Sequence, residues 1–126
     1  MENKHQVLYV EDNPANMRLV EQLLMTFSNL ELIGTETAEE GLEVAQQKKF
    51  DLILMDINLP GMNGYEALVE LKKMDATKDI PVVAISANAL ASDLEKGREA
   101  GFADYITKPI NLQSFFATIK KYLNVR

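Results

Sequence analysis

Residues 51–64 read DLILMDINLPGMNG. Within this stretch, Leu52–Met55 is an unbroken apolar run, which is typical of a strand covered on both faces of a parallel sheet. Asp56 follows the run directly, and Pro60 and Gly61 after it favour a tight turn. The stretch therefore predicts a buried, central strand that carries a carboxylate at its carboxyl end.

Other short apolar runs are predicted to be strands of the same sheet: Val7–Val10, Leu30–Ile33, Val82–Ile85 and Ala103–Ile106. Stretches with helical spacing separate the strands. Four of these stretches begin at a residue suited to cap a helix: Asn13 before Pro14, Thr37 in a capping-box pattern, Asn63 and Asn111. The strict alternation of strands and helices predicts an α/β fold, in which a parallel sheet has helices on both faces.

Apolar residues that recur at helical spacing identify four of these stretches as helices. The recurring residues are Ala15, Leu19, Leu23 and Phe27 in the first helix, Leu68, Leu71 and Met74 on one face of the third, Leu90, Leu94 and Gly97 in the fourth, and the stripe of Leu112, Phe115, Phe116, Ile119 and Leu123 in the last. Gly101 suits the position just beyond the end of the fourth helix.

Length and composition limit the classes of function that are expected. A chain of 126 residues is the size of one domain, so a single domain over residues 1–126 is expected. With 19 acidic and 13 basic residues the net charge is −6, which disfavours binding to nucleic acid or an anionic membrane. The absence of cysteine and the single histidine, His5, exclude disulfides, thiolate zinc sites and multi-histidine metal sites. No apolar run approaches the ~20 residues of a membrane span and the start does not resemble a signal peptide, so a cytoplasmic protein is expected.

Polar side chains stand at the ends of four predicted strands. They are Glu11 and Asp12 after the first, Asp56 after the third, Ser86 after the fourth and Lys108 after the fifth. Because ligands of open parallel sheets bind at the carboxyl ends of the strands, these side chains are expected to meet in one crevice. Two carboxylates ~4 Å apart repel by about 4 kcal/mol at an effective dielectric constant of ~20, so three of them require a cation or raised pKa values. Oxygen ligands without histidine or cysteine favour Mg²⁺.

The same residues suit phosphoryl chemistry. Lys108 and Ser86 would offer a positive charge and a hydrogen-bond donor to phosphoryl oxygens, and aspartate is an accepted nucleophile for phosphoryl groups. Taken singly, each has a commonplace interpretation: Glu11 and Asp12 as acids at a helix start, Asp56 as a turn residue, Ser86 as a cap or buried hydroxyl, and Lys108 as a solvated charge. Their joint occurrence at four strand ends is what indicates a functional site.

Four separated motifs resemble the receiver domain of two-component response regulators. They are Val10–Asn13 (VEDN), residues 51–64 as quoted above, Pro81–Ala87 (PVVAISA) and Lys108–Pro109. The resemblance covers essentially the whole chain and implies a flavodoxin-like, doubly wound sheet of five parallel strands in the order 2-1-3-4-5. Glu11 stands where many relatives have aspartate, and Ser86 stands where threonine is also common.

The resemblance also implies roles for the site residues. Asp56 would be the phosphoacceptor, which forms an aspartyl phosphate, and Lys108 and Ser86 would contact the phosphoryl group. The ligands of Mg²⁺ would be Glu11, Asp12, Asp56 and the backbone carbonyl of Asn58.

Further roles concern the switch and the lifetime of the phosphoryl group. By resemblance, Ser86 and Tyr105 would form the switch, with the Tyr105 ring turning from solvent towards the interior. Asn58 and Asn88 would border the phosphoryl group and tune how long it survives. The Lys108–Pro109 peptide bond would be cis.

The implied function is signalling through proteins. The receiver would take a phosphoryl group from a sensor histidine kinase or a histidine phosphotransfer protein, and would catalyse only its own phosphorylation and dephosphorylation. Because nothing follows Arg126 in this chain, output is expected through a downstream protein target, without direct binding to DNA or a membrane. The surface that changes would comprise Ala89–Gly101, Ala103–Ile106 and Leu112–Leu123. Asn13–Leu24 is most similar to receivers of hybrid sensor kinases and to stand-alone cell-division regulators.

Three alternative functions share parts of this pattern. A flavodoxin-type FMN binder has the same fold, but Glu11 and Asp12 would repel the flavin phosphate. A haloacid-dehalogenase-type phosphatase normally has a second aspartate two residues after its nucleophile, where this chain has Asn58. A receiver that has lost phosphorylation would act only as an interaction module. Such modules usually lose the equivalents of Asp56 or Lys108, and this chain keeps both.

Overall fold

The computed structural model describes residues 4–126; residues 1–3, which the predicted domain includes, lie outside the described residues. The strands are β1 (His5–Val10), β2 (Leu30–Thr35), β3 (Leu52–Asp56), β4 (Val82–Ser86) and β5 (Asp104–Thr107). They form one sheet of order β2-β1-β3-β4-β5, and every neighbouring pair is parallel. The predicted fold class and strand order are confirmed.

Five helices alternate with the strands: α1 (Pro14–Leu24), α2 (Ala38–Gln47), α3 (Gly64–Lys73), α4 (Ala91–Ala100) and α5 (Leu112–Tyr122). The predicted caps each accept a hydrogen bond from a backbone N–H in the first turn: Asn13, Thr37, Asn63 and Asn111. A full capping box forms between Asn63 and Glu66, whereas the Thr37 hydroxyl donates to the Glu40 carboxylate. Gly101 ends α4 at a φ of 111°, a left-handed conformation that glycine adopts readily. No helix within residues 4–126 is long and apolar enough to cross a membrane.

Apolar side chains pack against both faces of the sheet. All five residues of β3 are buried, which confirms that this strand is covered on both sides. Its Ile53 and Met55 belong to the cluster beneath α2 and α3, and its Leu52 and Leu54 belong to the cluster beneath α1 and α5. Successive side chains of a strand point to opposite faces, so one apolar run supplies both cores.

The register of the strands aligns their carboxyl ends. Val10 in β1 pairs with Met55 in β3, and Asp56 pairs with Ile85 in β4. Ser86, the last residue of β4, pairs with Thr107 of β5. The residues at or just beyond these positions are therefore held side by side along one edge of the sheet.

The buried face of α1 does not coincide with the apolar residues that identify the helix in the sequence. The residues of this helix that are buried are Val20 and Leu24, whereas Leu19 is 39% exposed and Ala15 is also exposed. The helix carries two adjacent apolar stripes, one through Leu19 and Leu23 and one through Val20 and Leu24. Periodicity alone does not distinguish them, and packing on the sheet selects the second.

Two other helical stretches also include apolar residues that remain in solvent. Leu90 and Leu94 of the fourth helical stretch are 72% and 39% exposed, and Gly97 is the residue of α4 that is buried. Leu112 is 54% exposed, although Phe115 in the next turn of α5 is fully buried. Leu90 is the N-cap of α4 and Leu112 is the first residue of α5, so both lie where water reaches the start of a helix.

Candidate functional site

Three carboxylates meet at the carboxyl end of the sheet. Glu11 and Asp12 follow β1 and Asp56 ends β3, and one oxygen from each lies within 4.8 Å of the others. Glu11 and Asp56 are 1% and 3% exposed, whereas Asp12 is exposed to solvent. The structure thus brings together the acids that the strand ends suggested.

Lys108 reaches into this cluster from the segment after β5. Its Nζ lies 2.9 Å from Oε1 of Glu11 and 3.2 Å from Oδ2 of Asp56. Burial lowers the pKa of the Lys108 ammonium, but the two carboxylates outweigh burial and raise it. Its backbone N–H donates to the Ser86 carbonyl at 2.9 Å, and the Lys108–Pro109 bond is cis, as predicted. Glu11, Asp12, Asp56 and Lys108 are called the acid pocket below.

Tyr9 is a member of this site that the sequence reasoning missed. Its hydroxyl donates to Oε1 of Glu11 at 2.8 Å, and the backbone N–H of Asn13 donates to Oε2 at 3.2 Å. Tyr9 and Glu11 are two residues apart in an extended segment, so their side chains lie on the same face. This spacing is visible in the sequence, but Tyr9 lies within the apolar run Val7–Val10, which by itself predicts only a strand.

The surroundings shift the pKa values of the two buried carboxyl groups in opposite directions. Burial and the neighbouring Glu11 carboxylate raise the pKa of Asp56 to about 6, although the Asn58 backbone N–H donates to Asp56 Oδ1 at 2.9 Å. Burial also opposes ionisation of Glu11, but hydrogen bonds with Asp56, Lys108 and Tyr9 outweigh burial and lower its pKa. The surroundings therefore favour the charged form of Glu11 and disfavour the charged form of Asp56.

The acid pocket fits a magnesium ion. The pocket holds three carboxylates and one ammonium group, which pairs with two of them, so it has a deficit of positive charge. Its donors are oxygen atoms, which are the ligands that Mg²⁺ prefers, and Asp12 is open to water that would complete a hydrated shell. The donor set therefore agrees with the predicted cofactor.

Ser86 connects the acid pocket to the neighbouring loops. Its side chain is fully buried, and its Oγ accepts from Nδ2 of Asn58 and from the backbone N–H of Asn88, both at 3.1 Å. The carbonyl of Asn88 in turn accepts from the Tyr105 hydroxyl at 2.8 Å. Hydrogen bonds thus lead from the loop after β3, through Ser86, to the aromatic ring on β5.

The observed position of the Tyr105 ring differs from the predicted one. The ring is half-buried and packs on the core, whereas the prediction placed it in solvent. Gly97 of α4 makes this possible, because a Cβ there would lie 2.9 Å from Cδ2 of the ring. A cleft of about 640 Å³ opens between this ring and the acid pocket, and Asp12, Asn58 and Asn88 line it.

The comparisons with known proteins agree with this geometry. Residues 7–120 match the family described as the response regulator receiver domain. The chain belongs to this family. Receivers of this kind act in two-component signalling, so the protein is a signalling component and not a conventional enzyme.

Individual relatives resemble this receiver over nearly its whole length. It is 44% identical over 117 residues to the polar-differentiation response regulator DivK of Brucella anthropi. The match covers 93% of this chain and 94% of DivK. The receiver domain of a sensor histidine kinase from Pseudomonas aeruginosa, solved with a magnesium ion in its active site cleft, is 29% identical with a TM-score of 0.85, over 94% of this receiver and 97% of that chain. The Ssk1 receiver of Saccharomyces cerevisiae, solved with the histidine phosphotransfer protein Ypd1, is 26% identical with a TM-score of 0.84, over 97% and 90%.

Proposed function

We propose that Asp56 of this receiver accepts a phosphoryl group from a phosphohistidine of a sensor kinase or a histidine phosphotransfer protein. The observation that carries the proposal is the position of Asp56, which ends the central strand with its Oδ2 3.2 Å from Lys108 Nζ and two further carboxylates beside it. The relationship to DivK supports the proposal, and so does the Ypd1–Ssk1 complex, in which a similar receiver meets a phosphotransfer protein.

The transfer is written as a displacement at phosphorus. An Oδ atom of Asp56 forms a bond to phosphorus while the phosphorus–nitrogen bond of the donor breaks, and the electron pair stays on the imidazole nitrogen. Negative charge on the phosphoryl oxygens is stabilised by the Lys108 ammonium and by the Ser86 hydroxyl once it turns towards them. Hydrolysis runs through attack of water on phosphorus, which releases inorganic phosphate and restores the Asp56 carboxylate.

The metal belongs to the same proposal. Glu11, Asp12, Asp56 and the Asn58 backbone carbonyl would hold Mg²⁺, although the bonds of Glu11 to Tyr9, Lys108 and Asn13 favour contact through water for that residue. When bound, the ion supplies positive charge that offsets the carboxylates and the phosphoryl oxygens.

Residues outside the acid pocket transmit the signal and set the lifetime of the phosphoryl group. Ser86 and Tyr105 act as the switch, and their hydrogen bonds to the two sides of Asn88 support this role. Asn58 and Asn88 line the cleft, from which they would influence the approach of water to the phosphoryl group.

A downstream protein would bind the face formed by α4, β5 and α5, where Leu90, Leu94 and Leu112 are exposed. The single domain over residues 1–126, the cytoplasmic location and the absence of direct DNA binding stay predictions.

The test is phosphorylation by a small donor. The parent chain is incubated with radiolabelled acetyl phosphate and Mg²⁺, beside Asp56→Asn and the control Asp51→Asn. Asp51 precedes β3 at its amino end, where its carboxylate accepts from the Gln6 backbone N–H. Labelling of the parent and of Asp51→Asn, with none in Asp56→Asn, is the expected result. A parent chain that takes no label would leave the interaction module without phosphorylation as the better description.

A further inference from the structure

Tyr9 is a polar side chain of the core that has no part in the proposed reaction. Its side chain is 0% exposed and lies in the apolar cluster beneath α1 and α5. Phenylalanine would fill nearly the same space, and a buried hydroxyl costs free energy unless it is hydrogen-bonded. The Tyr9 hydroxyl meets this requirement by donating to Oε1 of Glu11, 2.8 Å away. The core therefore carries a hydrogen-bond donor that is aimed at the acid pocket.

The donors to the Glu11 carboxylate differ in mobility. Oε1 accepts from the Tyr9 hydroxyl and from Lys108 Nζ, while Oε2 accepts from the Asn13 backbone N–H. The flexible side chain of Lys108 already has a second partner in Asp56. The Tyr9 ring is enclosed by the core, which fixes its hydroxyl where it donates to Glu11. Oε1 thus has one fixed donor and one that is able to leave.

We propose that Tyr9 is a positioning residue for phosphorylation, whose hydroxyl stabilises the Glu11 carboxylate while Lys108 moves from Glu11 to the phosphoryl group on Asp56. The inference rests on the proposed function, because it explains how Lys108 becomes available for that group. A buried carboxylate that loses its ammonium partner is strongly destabilised. The bond from Tyr9 reduces this cost, whereas without it Lys108 is held more tightly by Glu11.

The test compares Tyr9→Phe with Tyr122→Phe in the full chain. Tyr122 is a matched control, since its hydroxyl bonds to the Ala103 carbonyl and the Asp104 carboxylate at the amino end of β5, outside the acid pocket. The rate of labelling by acetyl phosphate at saturating Mg²⁺ is expected to fall about tenfold in Tyr9→Phe. Tyr122→Phe should label within about twofold of the parent. Thermal melting of each variant reports its folding.

A double-mutant cycle separates positioning from a loss of packing. If Tyr9 acts through Lys108, then Tyr9→Phe loses its effect on the labelling rate when Lys108 is already alanine. A merely structural role for Tyr9 would slow labelling by the same factor in both backgrounds, and that result would overturn the inference.

The parent chain offers a readout that needs no substitution. With ¹³C at tyrosine Cζ and ¹⁵N at lysine Nζ, beryllofluoride and Mg²⁺ are expected to shift the Lys108 resonance and leave that of Tyr9 nearly unchanged. A comparable shift at Tyr9 would contradict a fixed donor, even if Tyr9→Phe did not fold. Equal labelling of the parent and a folded Tyr9→Phe overturns this inference alone. No labelling of the parent overturns the proposed function, and this inference with it.

Discussion

The acid pocket and α4 line the same cleft, but they are held very differently. Glu11 and Asp56 are almost completely buried, and both bond to Lys108. In α4, by contrast, the buried residue is Gly97, and Leu90 at its start is 72% exposed. Few buried apolar contacts make a segment easier to displace at low free-energy cost. The acid pocket is therefore a rigid frame for the chemistry. The face around α4, called the adaptable face below, is easier to displace and is suited to respond to phosphorylation.

The largest effect is expected from removing the metal. EDTA should abolish labelling of the parent by acetyl phosphate, because the acid pocket lacks enough positive charge to accept a phosphoryl group. In thermal melting, Mg²⁺ should raise the Tm of the parent and of the control Asp75→Asn, but not that of Asp12→Asn. Asp75 is a suitable control because it removes the same charge from an almost fully exposed site. Full labelling in EDTA would remove Mg²⁺ from the account.

The rigidity of the frame can be tested by paired truncations. Leu54→Ala, in the central strand, should lower the free energy of unfolding by about 2–5 kcal/mol, because its side chain is 0% exposed. Leu90→Ala should change it by no more than about 0.5 kcal/mol, since that side chain is mostly in solvent. Urea denaturation measures both. Equal losses in the two variants would mean that the two regions do not differ as described.

Lys108→Ala tests the chemical role of the acid pocket. Labelling is expected to slow by about a hundredfold, the usual effect of losing one donor to a developing negative charge. Lys121→Ala is the control, because Lys121 pairs with Asp104 at the surface and is 63% exposed. Initial rates of labelling measure both variants. A Lys108→Ala chain that labels as fast as Lys121→Ala would show that the ammonium group is dispensable.

The smallest effect on labelling is expected at Ser86. Ser86→Ala should label within about threefold of the parent, because Lys108 and Mg²⁺ remain to stabilise the phosphoryl charge. The response of the adaptable face should nevertheless weaken, since the route to Asn88 and Tyr105 begins at the Ser86 hydroxyl. Amide NMR with beryllofluoride measures it: the shifts of Tyr105 and α4 seen in the parent should shrink in the variant. Undiminished shifts would place the switch elsewhere.

The parallel sheet and the meeting of the strand-end side chains were predictable because they depend on features that sequence displays. Unbroken apolar runs identify buried parallel strands, and parallel strands align their carboxyl ends. Asp56 and Ser86 were therefore expected at the same edge of the sheet once both runs were identified as strands. The strand order and the cis Lys108–Pro109 bond were predicted as well, but only from the family resemblance.

Other features depend on packing, which sequence displays less directly. The choice between Leu19 and Val20 as the inner residue of α1 depends on how the helix docks, because both lie on apolar stripes. The half-buried position of the Tyr105 ring depends on the missing side chain of Gly97. Tyr9 was overlooked because its ring does pack in the core, and only its hydroxyl reaches the acid pocket.

The most direct test of the account is to locate the phosphoryl group on the chain. Borohydride reduces an aspartyl phosphate to homoserine, and mass spectrometry of peptides identifies the position that changed. After incubation with acetyl phosphate and Mg²⁺, the account predicts homoserine at position 56 and at no other aspartate. Homoserine at Asp12 or Asp51, with Asp56 unmodified, would contradict the account.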